Sequence, residues 1–208
     1  MIESNKFYHA DCLDILKDLP DKSVDLVLTD YPYAVDENYS DYKDTPEKLK
    51  ELIVNSEKEI VRISKFALIT CGTHNIKNFK YYDDIFDIQQ PANPSFCNYG
   101  HITWQPLLVY GKDPQKSLKD KWMSIKNTET AEKNFHPCSK PTLLWQKILL
   151  RGSANDNDLI LDPFSGSGTT AIACHNLNRR FICIEKDKEY FDKSVLRYEN
   201  HIKQLKLI

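Results

Sequence analysis

Short apolar runs alternate along the chain with segments whose apolar residues recur every three or four positions. The runs include Val24-Asp25-Leu26-Val27-Leu28-Thr29, Phe66 to Thr70, Leu107 to Tyr110, Leu159-Ile160-Leu161 and Phe181 to Ile184. Compact apolar runs of this kind suit strands buried in a parallel sheet. Phe7-Tyr8-His9 is a further short strand candidate. A helix is predicted from Asp11 to Leu19, with Leu13 and Leu16 on one face and Pro20 as its stop. A second starts at Thr45-Pro46, an N-cap and a first-turn proline, and carries the stripe Leu49, Leu52, Ile53, Ile60 and Ile63. Others are predicted from Pro141 to Arg151, with Gly152 as a C-terminal cap, from Thr169 to Leu177, and from Lys188 to Asn200. Strands alternating with helices imply an α/β fold, a mostly parallel sheet with helices on both faces. Residues 34–44 are acidic and tyrosine-rich and read as a loop. Residues 71–138, interrupted by Pro91, Pro94, Pro106, Pro114 and Pro137, yield only the strand at Leu107–Tyr110.

With 208 residues, the whole of 1–208 reads as one domain with one main core. No apolar run approaches the roughly 20 residues that cross a bilayer. The start of the chain lacks a basic stretch followed by an apolar one, so the expectation is a cytoplasmic protein without membrane attachment. Six cysteines without a CxxC pair point to free thiols, and no metal site is expected. The net charge of −2 does not advertise a nucleic-acid binder, but its distribution is uneven. Residues 1–60 carry a net of −8, and residues 112–151, with nine basic side chains against four acidic ones, a net of +5. Such a basic segment suits a phosphate backbone, although a solvated lysine-rich loop has the same composition.

Two segments carry chemistry. In Asp162-Pro-Phe164-Ser-Gly166-Ser167-Gly168-Thr169-Thr170 a buried strand runs into a glycine turn that opens a helix. Glycines there let the backbone approach a ligand closely. Glu185 follows 19 residues after Gly166, at the end of the next strand, where an acidic side chain grips ribose hydroxyls. Thr169 stands where a P-loop requires lysine, which argues against nucleoside triphosphates. A dinucleotide and S-adenosylmethionine both remain open on this segment, as does a tight turn that binds nothing. The second segment is Asp30-Tyr31-Pro32-Tyr33, at the end of the Val24–Thr29 run. It puts a carboxylate and two aromatic rings at the mouth of the sheet, where a planar base can stack and an amino group can find acceptors.

Taken with Lys140-Pro141, these segments resemble the amino-methyltransferases of DNA, which act on N6 of adenine or N4 of cytosine. The tetrad of that family is usually Asp-Pro-Pro-Tyr, and its cofactor motif Asp-Pro-Phe-x-Gly-Ser-Gly-Thr-Thr. The tetrad comes first here and the cofactor turn last, as in the circularly permuted beta class. The match lies in Phe7–Tyr33 and His136–Tyr198, somewhat under half of the chain. The resemblance implies a doubly wound, Rossmann-like sheet with one antiparallel strand near its edge, and S-adenosylmethionine as cofactor. It places Asp11 and Cys12 against the adenine of the cofactor and Glu185 on its ribose. Asp162, Phe164, Gly166, Ser167, Gly168, Thr169 and Thr170 are placed around its methionine part, and Lys140 and Pro141 at the segment leading into the site. Asp30 and the carbonyl of residue 31 would accept from the target amine, and Pro32 and Tyr33 complete the tetrad, Tyr33 stacking on a base flipped out of double-stranded DNA.

Tyr31 departs from the family proline, which puts the rigidity of the loop, and with it activity or base choice, in question. Asp30 tilts the expectation towards adenine. Residues 72–139 are the candidate target-recognition region, with Tyr99, Trp104, Trp122 and Phe135 as stacking or wedge candidates. Members of the class often pair, so a homodimer is expected to enlarge the footprint. No residue speaks for or against a cognate nuclease. Methylation of an amide or of RNA fits less well, because those enzymes start the tetrad with asparagine and place it after the cofactor turn. A non-catalytic binder is favoured only by Tyr31, and a dehydrogenase only by the glycine turn.

Overall fold

The computed structural model describes residues 2–34, 45–89, 95–97, 100–102, 104–114, 122–124 and 139–205. The strands are β1 (Lys6–His9), β2 (Val24–Asp30), β3 (Ser64–Thr70), β4 (Asp84–Gln89), β5 (Ser95–Cys97), β6 (Gly100–Ile102), β7 (Trp104–Tyr110), β8 (Trp122–Ser124), β9 (Leu159–Asp162) and β10 (Arg180–Glu185). The helices are α1 (Cys12–Leu16), α2 (Pro46–Ile63), α3 (Thr142–Gly152), α4 (Thr169–Asn176) and α5 (Lys188–Leu205). Eight strands form one sheet in the order β1-β10-β9-β2-β3-β7-β4-β8, and β5 pairs with β6 separately. Strands β1, β10, β9, β2 and β3 are mutually parallel. Strand β7 runs against both β3 and β4, and is the antiparallel strand expected near the edge.

Alternating residues of the buried strands feed two cores. Val27, Ala67, Ile69 and Leu161 pack with α1 and α2 through Leu16, Leu49, Ile53 and Ile60. Leu26, Leu28, Leu68, Ile160 and Phe181 pack with α3 and α4 through Leu144, Trp145, Ile148 and Ala171. This alternation is the period of 2 that a strand covered on both faces requires. The fold is therefore the mostly parallel, doubly wound sheet expected.

Several boundaries differ. The helix expected over Asp11–Leu19 is short, and Asp11 is its N-cap, accepting from the Leu13 N–H at 3.0 Å. Thr45 caps α2 as expected. Gly152 does not cap α3 but ends it, followed by Ser153 in extended conformation. A Cβ at Gly152 would meet Leu26 and Leu68 at 2.8–2.9 Å, so the glycine permits close approach of helix and sheet rather than a left-handed turn. Strand β4 lies in the stretch for which the sequence yields no further strand, with Phe86 and Ile88 inward and Asp87 and Gln89 outward. The expected loop at 34–44 lies, beyond residue 34, outside the described residues. So do the Tyr99 and Phe135 assignments and the basic side chains from 116 to 133. Among the described residues no helix is long and apolar enough to cross a membrane. Cys12, Cys71, Cys174 and Cys183 are free and buried.

Candidate active site

The carboxyl ends of the parallel strands bring the two segments together. Strand β2 delivers Asp30, β9 delivers Asp162, β10 delivers Glu185, and Asp11 follows β1. Pairing of β2 with β9 places the two motifs side by side across the centre of the sheet. Thr29 donates to Asp162 Oδ1 at 2.6 Å, and the Tyr31 and Phe164 rings lie 4.6 Å apart.

Asp30 sits in a ring of donors. Its Oδ1 accepts from the Tyr33 hydroxyl at 2.6 Å and from Thr70 Oγ1, and its Oδ2 from Lys140 Nζ at 2.6 Å. The Tyr33 hydroxyl also accepts from Lys140 Nζ at 2.9 Å and from Gln105 Nε2. Asn75 Nδ2 donates to the Tyr33 carbonyl at 3.0 Å. Both ring and carboxylate are thus held by several elements at once, the preorganisation that an orienting site needs. Sequence reasoning gave Lys140 to the cofactor segment, and the structure brings its ammonium to the tetrad.

Tyr31 turns away from this cleft. Its side chain is 1% exposed, edge-on to Phe79 at 5.1 Å, and its hydroxyl lies 2.8 Å from Ser56 Oγ. Ser56 already donates to the Leu52 carbonyl, so the Tyr31 hydroxyl is the donor in that pair. The Tyr31 N–H donates to the Thr70 carbonyl at 3.0 Å, a bond that proline cannot make. The departure from the family motif is thus compensated: ring packing and a ladder bond hold the loop.

The glycine turn is built for a ligand with ribose and an amino-acid tail. Gly166 and Gly168 have φ of 48° and 75°, left-handed conformations that favour glycine. Glu185 Oε2 accepts from Gly166 N–H at 2.8 Å and Oε1 from Asp187 N–H at 2.9 Å, which leaves lone pairs for hydroxyl donors. Burial raises the pKa of Glu185, against the pull of those two N–H groups. Ser165 Oγ is buried and has no hydrogen-bond partner among the described residues, a group that a ligand would satisfy. These features fit S-adenosylmethionine.

Not every motif residue faces a ligand. Asp162 is 3% exposed and accepts from Thr29, from Thr170 Oγ1 and from the Phe164 N–H at 3.1 Å. Burial pushes its pKa up to about 6 despite these donors. The Thr170 hydroxyl also accepts from Trp145 Nε1 at 2.7 Å, so it is spent beneath the turn, not above it. Asp11 pairs with Lys186 at 2.9 Å. Burial alone would raise its pKa, but Lys186 and the Leu13 N–H outweigh this and hold it below the usual carboxylate value. Burial pushes Cys12 up to about 12, so its thiol is inert packing.

Arg197 escaped sequence reasoning. This buried α5 side chain donates to the Ser167 carbonyl at 2.9 Å and to Thr169 Oγ1 at 3.0 Å. Ser139 Oγ lies 3.0 Å from Ser167 Oγ, and Thr169 Oγ1 donates to the Lys140 carbonyl at 3.4 Å. The turn is therefore tied to the segment that carries Lys140 and Pro141. The available signal was a polar pair, Ser194 and Arg197, one helical turn apart on the buried face of the last helix.

A doubly wound sheet with a donor-ringed aspartate beside a glycine turn defines a nucleoside-cofactor methyltransferase of the permuted type. A family model described as DNA methylase, for N6 and N4 methyltransferases, matches residues 89–196, and the chain belongs to that family. A type II methyltransferase of Lactococcus lactis subsp. cremoris, M2.LlaDCHI, is 27% identical, over 88% of this chain and 84% of the relative. M2.DpnII of Streptococcus pneumoniae is 27% identical over 92% and 88%. The solved complex of M1.HpyAVI with SAM is 29% identical at a TM-score of 0.66, covering 92% of this chain and 98% of that one. The PvuII cytosine-N4-specific DNA methyltransferase, 16% identical at a TM-score of 0.72, shows the shared fold, with 98% of this chain and 92% of that one covered.

Proposed function

We propose that the protein methylates the N6 amino group of adenine in a short site of double-stranded DNA. The observation that carries this reading is the Asp30 carboxylate, fixed at the end of β2 beside the cofactor turn and held by the Tyr33 hydroxyl and the Lys140 ammonium. The cofactor is S-adenosylmethionine, which supplies a methyl group activated on a sulfonium. Glu185 takes its ribose hydroxyls, and the backbone of Gly166 to Thr169 with the Ser165 hydroxyl takes its polar tail. A base flipped from the duplex stacks on Tyr33. Asp30 and the Tyr31 carbonyl accept its amino protons, which turns the nitrogen lone pair towards the methyl group. The nitrogen sheds a proton as it becomes cationic, and Asp30 is placed to receive it.

DNA reaches this edge of the sheet past β7. Trp104, at the start of that strand, is 39% exposed and next in sequence to Gln105, which holds Tyr33. This supports Trp104 as a stacking or wedge residue within the recognition region proposed for residues 72–139. Pairing of two copies would supply further contacts to a site that so short a region reads alone with difficulty.

The cofactor assignment has a direct test. Glu185→Ala removes the ribose acceptor and the anchor of Gly166 N–H. Calorimetry is expected to show S-adenosylmethionine affinity lower by roughly 10- to 100-fold, the worth of one or two hydrogen bonds to a charged group. Unchanged affinity would remove Glu185 from the cofactor site.

A further inference from the structure

We propose that Lys140 donates a hydrogen bond to the ring nitrogen next to the target amino group, so that Asp30 and Lys140 together read that edge of the base. The inference rests on the reading of Asp30 and Tyr33 given above and deepens it. An ammonium has three donors, and among the described residues Lys140 uses one on Asp30 Oδ2 and one on the Tyr33 hydroxyl. A carboxylate oxygen has two acceptor positions. Oδ1 of Asp30 fills both, with Tyr33 and Thr70, whereas among the described residues Oδ2 is engaged by Lys140 alone. One donor and one acceptor are left side by side.

Their setting determines what they can bind. The Lys140 side chain is 12% exposed and that of Asp30 19%, so bulk water serves neither group well. A buried donor without an acceptor carries a desolvation penalty, which an incoming acceptor removes. Lys140 Nζ lies 5.0 Å from the centroid of the Tyr33 ring, so a base stacked on that ring brings its edge to the pair. In adenine and in cytosine the exocyclic amine is flanked by an unprotonated ring nitrogen. The amine donates to Asp30 Oδ2 and the ring nitrogen accepts from Lys140. Guanine and thymine have the opposite polarity, a carbonyl beside a ring N–H. With the exocyclic group facing Asp30, both contacts would be repulsive, and mispaired polar groups of this kind discriminate strongly. The backbone that carries Lys140 is anchored beside the turn, because Thr169 donates to its carbonyl and Ser139 is tied to Ser167.

The test pairs a protein change with a substrate change. Duplex oligonucleotides carry the site mapped by methylation of genomic DNA, with the target either adenine or 1-deazaadenine, in which the ring nitrogen is a C–H. A cytosine target would call for 3-deazacytosine instead. Single-turnover rates are compared for wild type, Lys140→Met and Lys140→Arg. Lys140→Met is expected to slow transfer to the natural base by about 30-fold, within the range for a hydrogen bond from a charged donor. Transfer to the deaza base, already without that contact, loses only the ties of Lys140 to Asp30 and Tyr33 and is expected to slow severalfold less, the signature of a direct pairwise contact. Lys140→Arg keeps a donor and keeps the preference for the natural base. Equal slowing on both substrates, or none on the natural one, would overturn the proposal. Melting temperature and S-adenosylmethionine affinity close to wild type establish that Lys140→Met is folded. Transfer that survives in Asp30→Ala would refute the underlying reading of the site, an outcome separate from these.

Discussion

Asp30→Ala is expected to lose methyl transfer by on the order of 10³-fold or more in kcat, as the removal of a preorganised polar group from a reaction centre does. Asp30 is the point where three side-chain donors converge: Tyr33, Thr70 and Lys140. Its loss removes the acceptor for the target amine and also frees Tyr33 and Lys140 to move. Asp30→Asn should fail almost as completely, since an amide nitrogen cannot accept from Lys140. The cofactor turn lies between β9 and α4 and keeps its own ties through Glu185 and Arg197, so S-adenosylmethionine affinity should change by no more than a few-fold. Calorimetry and single-turnover assays on the same preparation separate the two effects. A variant that loses cofactor binding and rate together would contradict the role given to Asp30.

Tyr31→Ala is expected to destabilise the fold by about 4 kcal/mol, the range for removing a buried aromatic side chain. For a domain of this size that lowers the melting temperature by roughly 8–15 °C. The cavity would open between Phe79, Phe164 and α2, directly under the tetrad. Tyr31→Phe removes only the hydroxyl that donates to Ser56 and should cost about 1 kcal/mol. Because the Tyr31 carbonyl and N–H remain, the phenylalanine variant should methylate at close to the wild-type rate. A phenylalanine variant that melts normally but has lost activity would place the phenol in the chemistry, and the account of Tyr31 as packing would fall.

Much of the sheet was legible because burial leaves a direct record in the apolar runs. Val24–Thr29, Phe66–Thr70 and Phe181–Ile184 are strands for the reason their composition suggests. Strand β4 was not legible because its alternation is short and lies in a stretch broken by prolines. Gly152 was misread because a glycine at a helix end has two uses, a left-handed turn and a close approach, and only the position of Leu26 and Leu68 separates them. Within the site, the motifs gave Asp30, Tyr33 and Glu185. They could not give the direction in which Tyr31 points, which depends on a pocket formed by α2 and Phe79. They also could not bring Lys140 to Asp30, a contact across 110 residues that depends on how α3 enters the sheet. Thr70, Gln105 and Arg197 carry no motif, and only the tertiary fold sets them beside the tetrad and the turn.

Unmethylated genomic DNA incubated with the protein and S-adenosylmethionine, then digested to nucleosides, can be read by mass spectrometry. N6-methyladenine is expected to form with the wild-type protein and to be lost with Asp30→Ala. The absence of both N6-methyladenine and N4-methylcytosine, from protein shown separately to bind S-adenosylmethionine, would rule out methyl transfer to a base amine of DNA.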